Sequence, residues 1–507
     1  MRILESIKKY AESSRIALTC DGKSMTYREL DDLSEAIGCF LLKESGENNT
    51  PIVIYGNKEN MIMAVMMGAL KSGRAYIPID ISYPKERVDT IIEEVNPDVL
   101  FDFSEGHIFN NVSVVHECDI LSIYKEYKGI NIDKSKWVKC DENAYILFTS
   151  GSTGKPKGVQ ISCNNLDNFI DWMKEYLQLD DSEEIFMNQA AYSFDLSVTS
   201  IYPGLCYGKT LHGFSKNTLS NLKKMFDDMK ESDINFWVST PSFAGMCVAE
   251  DSFNCRMLPH LKAMVFIGEV LPKTLCEELL NRFPDTRIIN GYGPTEATVG
   301  ISANDINREM LNAEGSLPIG YPMKTAYVKI TDEDGNEVCE GEKGEIVIVS
   351  PSVSRGYFHN EEKTKASFFY DYFNGKKCRA YRTGDLGYYK EGRLYYCGRK
   401  DFQIKLNGYR IEIEDIENNL IKVRNIKNAA VVPVKKNDKI AYLTAFVELK
   451  EDNRLSGLKN GIAIKKELEK LIPSYMVPRN IKIVKQFPTN VNGKIDRKKL
   501  LEEIRCI

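Results

Sequence analysis

Apolar positions in the first 300 residues change period repeatedly, from the three-to-four spacing of a helix to short β-branched runs and back. Residues 59–71 show helical spacing and run into AYIPID, and residues 219–230 do the same before INFWVST. This rhythm predicts α/β layers. From about Ala326 the segments VKITDEDGNEV, GEIVIVS and GRLYYCG read as short strands, with Asp-Gly and Glu-Gly pairs marking hairpins, so a β-rich subdomain is expected there. The last hundred residues are mixed: a strand-like FQIKL, a helix-like IEDIENNLIKV, strands AAVVPV and AYLTAFVEL, and a helix IKKELEKLI. They predict a compact α+β module. Between the two parts, Gly398-Arg399-Lys400-Asp401 is a charged turn that serves either as a hairpin or as a domain hinge.

Length and composition bound this picture. At 507 residues the chain exceeds one hydrophobic core, and about 150 residues per domain allows three or so units. Apolar content of 43% and charged content of 27% are those of an ordinary globular protein. With 67 basic against 72 acidic residues the net charge is -5, which offers no field for nucleic acid or anionic lipid. The N-terminal MRILESIKKYAESSR has the pattern of an amphipathic helix without the apolar core of a signal peptide. The most apolar segment, residues 61–70, falls short of the ~20 residues that cross a bilayer. A soluble, cytoplasmic protein without membrane insertion is expected. Thirteen cysteines without a C-x-x-C pair, and five histidines without H-E-x-x-H, point to reduced thiols and no structural zinc.

Residues 145–158 read YILFTSGSTGKPKG, a β-leaning apolar run that ends in hydroxyls, glycines and two lysines. Glycine lets backbone N–H groups turn toward an anion, hydroxyls add donors, and Lys155 and Lys157 supply positive charge, so the loop suits a polyphosphate such as ATP. It is not a Walker A loop, because Pro156 follows Lys155 and disfavours helix there. A flexible Ser/Gly linker is the plain alternative, but linkers rarely follow a hydrophobic strand or carry paired lysines.

Three further segments mix glycine, hydroxyl and carboxylate. NGYGPTEAT over residues 290–298 offers a flat face at Tyr292, a phosphate donor at Thr295 and a cation ligand at Glu296. YRTGDLG over 381–387 sets Asp385 in a tight loop, where a carboxylate is usually a turn former and near a nucleotide would accept both ribose hydroxyls. NGKIDR over 492–497 holds Lys494, which taken singly is a solvated surface charge.

In this order TSGSTGKPKG, YGPTE, YRTGDLG, GRKDFQIKLNGYRIE and NGKIDR resemble the adenylate-forming superfamily of acyl-CoA synthetases, firefly luciferase and nonribosomal peptide synthetase adenylation domains. The resemblance covers nearly the whole chain. KGVQIS, SFDLSV, STPSF, GEVLP and YGPTEATV are similar to the subgroup of D-alanine:D-alanyl carrier protein ligases. It implies a large N-terminal adenylation core over 1–398, with two α/β layers and the β-rich subdomain, a hinge over 399–402 centred on Asp401, and a small mobile C-terminal domain over 403–507. It implies that Thr149, Ser150, Gly151, Ser152, Thr153, Gly154, Lys155 and Lys157 hold the outgoing pyrophosphate, and that Thr295 touches the α-phosphate while Glu296 coordinates Mg²⁺. Tyr292 would pack on adenine, Asp385 would take the ribose hydroxyls with Arg399 close by, and Asn290, Gly291, Gly293, Pro294, Tyr396, Cys397 and Gly398 would complete the nucleotide site. Lys494 would bridge the α-phosphate and the substrate carboxylate, then leave as the C-terminal domain turns and presents Gly408–Glu412 to the phosphopantetheine arm. No carrier module follows Ile507, so a phosphopantetheinylated carrier protein is expected in trans, with the ligase itself a monomer.

For the substrate, the resemblance places Asp195 against an amino-acid ammonium, because a buried carboxylate without such a partner is costly. Around it the pocket would comprise Leu196, Thr199, Val265, Ile267, Gly291, Val299 and Gly300. Ile267 stands where the subgroup has cysteine, Thr199 replaces methionine, and Gly291 replaces a larger residue. Ile267 is expected to remove space on one side and Gly291 to add it on another. D-alanine leads as substrate, for teichoic acid biosynthesis. Another small amino acid in a peptide natural-product pathway is the runner-up, ahead of an acyl-CoA ligase or a noncatalytic nucleotide-binding protein.

Overall fold

The computed structural model describes the chain except for residues 47, 105–108, 110–111, 152–153, 437–438, 452–456, 489–494 and 506–507. The chain forms two compact units. The first comprises residues 1–81, 95–148 and 158–400, and the second residues 82–94, 149–157 and 401–507.

Within the first unit the alternating pattern becomes two layered sheets. Among the described residues one has nine strands, with Arg287–Tyr292 between the parallel Ala263–Phe266 and the antiparallel Ser302–Ile306. The other has six, in the order Ser113–His116, Val99–Asp102, Ile52–Gly56, Tyr76–Asp80, Asn143–Thr149, Lys157–Ser162, its last two strands running into the second unit. Strands such as Ile52–Gly56 are buried along their whole length, as expected of strands covered on both faces. The apolar segment near residue 61 is the helix Asn60–Lys71, buried nearly all round; its one cation, Lys71, is fully buried and pairs with Asp31 at 2.5 Å and Glu35 at 3.2 Å. The N-terminal pattern becomes the helix Arg2–Tyr10, burying Ile3, Leu4, Ile7 and Tyr10. Residues 219–230 do not form one helix: Asn221 accepts a hydrogen bond from the Lys224 amide, ends Lys216–Ser220 and caps Leu222–Glu231.

The β-rich part is a five-stranded sheet in which Lys376–Lys390 pairs with Gly344–Val349, Phe368–Phe373 and Arg393–Arg399. Its Glu391-Gly392 turn has φ of 53° and 70°, the left-handed pair that matches the twist of a two-residue hairpin. In the second unit the hairpin of Gln403–Leu406 with Tyr409–Glu412 precedes the helix Ile413–Lys422, which contacts Ile426–Lys436 of a three-stranded sheet.

Candidate functional site

The strand Arg287–Tyr292 is buried from Ile288 onward and delivers the chain into Gly293-Pro294 and a short turn, Thr295–Ala297. Thr298 and Val299 follow with φ of 56° and 69°. Left-handed backbone is uncommon for β-branched residues and persists only where its surroundings hold it. Here the Ile301 amide donates to Tyr292 O at 2.8 Å, the Gly300 amide to Thr298 O at 2.8 Å, and Thr298 Oγ1 to Ser352 O at 2.7 Å. A Cβ at Gly293 would lie 2.6 Å from Val299 O, so glycine is required where the chain folds back on itself.

One side of this turn is a closed polar network. Asp385, 3% exposed, accepts from Tyr292 Oη at 2.6 Å on one oxygen and from Arg399 Nη1 on the other. Arg399 also donates to Thr383 O at 3.1 Å, and Thr383 Oγ1 receives the Asp385 amide at 2.9 Å. Burial and the adjacent carboxylate raise the Tyr292 phenol well above its usual value, so it stays a donor. Tyr396 faces Tyr292, their ring centroids 6.3 Å apart, whereas Cys397, next along its strand, is exposed. Gly398 has φ of 117°. Asn290 spends its side-chain amide on Pro318 O at 2.8 Å, a structural bond that the motif alone does not reveal.

The other side gathers the expected amino-acid determinants. Thr295 Oγ1 donates to Asp195 Oδ2 at 2.6 Å. Asp195 opens a short turn at the start of the helix Val198–Cys206, where the helix dipole favours its negative charge. It is half-buried, not sealed, and so remains reachable by a ligand. Glu296 is fully buried, and Tyr357 Oη donates to it at 2.9 Å. Leu196, Thr199, Val265, Ile267 and Val299 are all buried, with Thr199 Oγ1 lacking a hydrogen-bond partner among the described residues.

Ile267 and Gly291 correct the expectation of two independent changes. A Cβ at Gly291 would meet Ile267 Cγ1 at 2.7 Å. The register Phe266↔Asn290 makes residues 267 and 291 the next pair across the adjoining strands. The space released by Gly291 is therefore filled by Ile267.

Sequence reasoning missed two buried polar contacts. Tyr357 lies outside every motif, and nothing in its neighbours signals a bond to Glu296. Lys58, 3% exposed, donates to Asn188 Oδ1 at 2.8 Å and sits 3.8 Å from the centroid of the Tyr192 ring, just upstream of Phe194-Asp195. Burial depresses its ammonium to about 7.

In the second unit Ser150 Oγ donates to Arg410 O at 3.0 Å and accepts from the Glu412 amide at 3.2 Å, while Lys157 lies 3.8 Å from the Glu412 carboxylate. The Gly154 amide donates to Gly151 O at 3.0 Å, and Thr149 Oγ1 is 3.5 Å from Lys157 O. Lys155 is exposed. Ser152, Thr153 and Lys494 lie outside the described residues. Asn407 and Gly408, with φ of 51° and 85°, form the tight turn of their hairpin, a local reason for that glycine. Asp401 Oδ1 accepts from the Gln403 amide at 3.1 Å.

Two family models match the chain: AMP-binding enzyme over residues 6–358 and AMP-binding enzyme C-terminal domain over residues 415–494. The chain is 42% identical over 507 residues to the D-alanine--D-alanyl carrier protein ligase of Bacillus cereus (strain AH187), covering 99% of this chain and 100% of the relative. The Bacillus anthracis (strain CDC 684 / NRRL 3495) protein of the same name is 42% identical over 506 residues, with the same coverage. Among solved structures, the Vibrio cholerae adenylation domain AlmE, in complex with glycyl-adenosine-5'-phosphate, superposes with a TM-score of 0.84 at 22% identity, covering 100% of this chain and 97% of that one. That likeness shows the fold.

Proposed function

The chain belongs to the family of AMP-binding enzymes, and from that premise we propose that it activates D-alanine with ATP as an aminoacyl-adenylate and passes the acyl group to the phosphopantetheine thiol of a separate carrier protein. The observation that carries this reading is the 2.6 Å bond from Thr295 to Asp195, which ties the phosphate-facing segment to the one half-buried carboxylate among the expected pocket residues.

A carboxylate is a poor electrophile, so it attacks the α-phosphorus of ATP, pyrophosphate departs, and the thiol later displaces AMP. Two anions meet in the first step, and catalysis is chiefly alignment and charge neutralisation. Asp195 holds the ammonium, which aims the carboxylate toward Thr295. Asp385 accepts the ribose hydroxyls, its carboxylate kept oriented by Arg399 and Tyr292. Lys494 supplies positive charge for the adenylation step. Mg²⁺ favours one or two carboxylates plus substrate phosphates over an all-protein cage. The donor set fits this: Glu296 is a buried carboxylate oriented by Tyr357. Glu296 would hold the ion that screens the phosphates. No described helix is long and apolar enough to cross a membrane, and dependence on ATP supports a cytoplasmic location.

Pyrophosphate exchange across D- and L-amino acids and a panel of aliphatic and aryl acids tests the reading. D-alanine should lead; exchange only with acids lacking an ammonium overturns it. Lys494→Ala should abolish exchange yet spare thioester formation from supplied aminoacyl-adenylate, whereas equal loss in both steps refutes its assigned role.

A further inference from the structure

We infer that Trp172, which lies in none of the motif segments, sets the depth of the amino-acid pocket by backing Ile267 and Gly300. The inference rests on the amino-acid reading above and deepens it, by limiting the substrate side chain to about a methyl group.

A Cβ built on Gly300 would meet Trp172 Cζ3 at 3.1 Å, Ile267 Cδ1 at 3.5 Å and Phe169 Cε2 at 3.5 Å. The same Ile267 Cδ1 lies 3.1 Å from a Cβ on Gly291. Ile267 therefore spans from one glycine to the other, and the indole closes the far side. Two glycines that would enlarge a pocket on paper are both occupied from behind. Ile267 and Val299 are 3% and 1% exposed, so both are closely packed against protein.

The indole is fixed in place. Phe169, Trp172 and Tyr176 follow one another at helical spacing along Cys163–Leu177, with ring centroids 6.0 and 5.9 Å apart. Tyr176 Oη donates to Asp305 at 3.0 Å, and Arg287 Nη1 donates to Tyr176 O at 3.1 Å. Arg287 begins the strand that carries Gly291, so helix and strand are joined at that end. Ser162 caps the other end of the helix, accepting from the Asn165 amide. Trp172 acts through Ile267 and Gly300, and is thus a positioning residue.

The test is the ranking of kcat/KM in pyrophosphate exchange for glycine, alanine, 2-aminobutyrate and valine of the hand the wild type accepts. Trp172→Ala should raise 2-aminobutyrate relative to alanine by about 10-fold or more, the scale of one methylene in an apolar pocket. The KM for ATP should stay within about 2-fold, and Trp172→Phe should keep the wild-type ranking. Gly300→Ala approaches from the opposite direction and does not depend on removing a large side chain: it should raise glycine relative to alanine. An unchanged ranking in Trp172→Ala and Gly300→Ala, with exchange intact, overturns this inference alone. A wild-type protein that exchanges with no amino acid overturns the underlying reading as well.

Discussion

Gly291 and Tyr292 are neighbours on one strand, yet their side-chain directions lead to walls of opposite character. On the Tyr292 side, Asp385, Arg399 and Thr383 form a network in which both oxygens of the carboxylate are engaged. On the Gly291 side, Ile267, Gly300, Phe169 and Trp172 interlock through shape alone. A buried polar network fails when one member is removed, because the partner is left charged or unsatisfied. An apolar wall tolerates exchange when volume is conserved. The Tyr292 wall, proposed to take the nucleotide, is therefore the part that must keep its residues, and the Gly291 wall, proposed to take the amino acid, is the part that can change in concert.

The comparison breaks first if Asp385→Ala is mild. That substitution leaves the Arg399 guanidinium buried without its carboxylate, at a cost of about 3–5 kcal/mol. A large rise in the KM for ATP together with a fall in Tm is expected; wild-type values of both would mean the network contributes little. Asp195→Ala comes next. Asp195 is half-buried, so the expected loss is that of a charge-assisted hydrogen bond, about 1.5–3 kcal/mol in kcat/KM for the amino acid, with the KM for ATP held. Near wild-type amino-acid efficiency would show that the ammonium is bound elsewhere.

How much was legible follows the same division. Tyr292, Asp385 and Arg399 stand in motifs whose chemistry each residue type announces, and the structure joins them within hydrogen-bond reach. Hairpin turns such as Glu391-Gly392 were legible because φ above zero restricts the residue types. The interlock of Ile267 with Gly291 was not, since the two lie on adjoining strands and only the register shows that one fills the other's space. The break at Asn221 was hidden because continuous apolar spacing gives no weight to a side chain that caps. Tyr357 and Lys58 act across long separations in sequence, which no local pattern records.

Lys58 is a buried cation set against Asn188 and the Tyr192 ring, and pH exposes it. Its folded ammonium is depressed to about 7, chiefly by burial, with Cys20, Asp80 and Glu59 facing it and raising it in part. The unfolded chain keeps the usual lysine value near 10.4, so between about pH 7 and 10 the unfolded state binds more protons. Stability contributed by this site therefore rises with pH through that window, by about 1 kcal/mol from pH 7 to 8. Lys58→Met should flatten that rise and gain most below pH 7, where the wild type must bury the charge. Parallel Tm profiles for the two proteins from pH 6 to 9 would show that Lys58 does not titrate there.

The smallest effect probes the apolar wall directly. Gly291→Ala places a Cβ 2.7 Å from Ile267 Cγ1, closer than packed carbons approach, so Ile267 must shift. Overpacking of this kind costs about 1 kcal/mol. Because Gly291 has no left-handed φ, backbone strain adds nothing to that cost. Ile267→Val alone removes Cδ1, the atom 3.1 Å from the new Cβ, and leaves less behind Cγ1 to resist its shift, at a cost of about 0.5–1.5 kcal/mol. If the two residues share one volume, the double variant should be more stable than the sum of the singles allows, with a coupling of about 0.5–1 kcal/mol in denaturant unfolding. If the substrate methyl rests on the surface that this pair builds, as proposed above, the same cycle read in kcat/KM for alanine should show coupling of the same sign. Additive effects in both measurements would separate Ile267 from Gly291 and return the pocket to two independent changes.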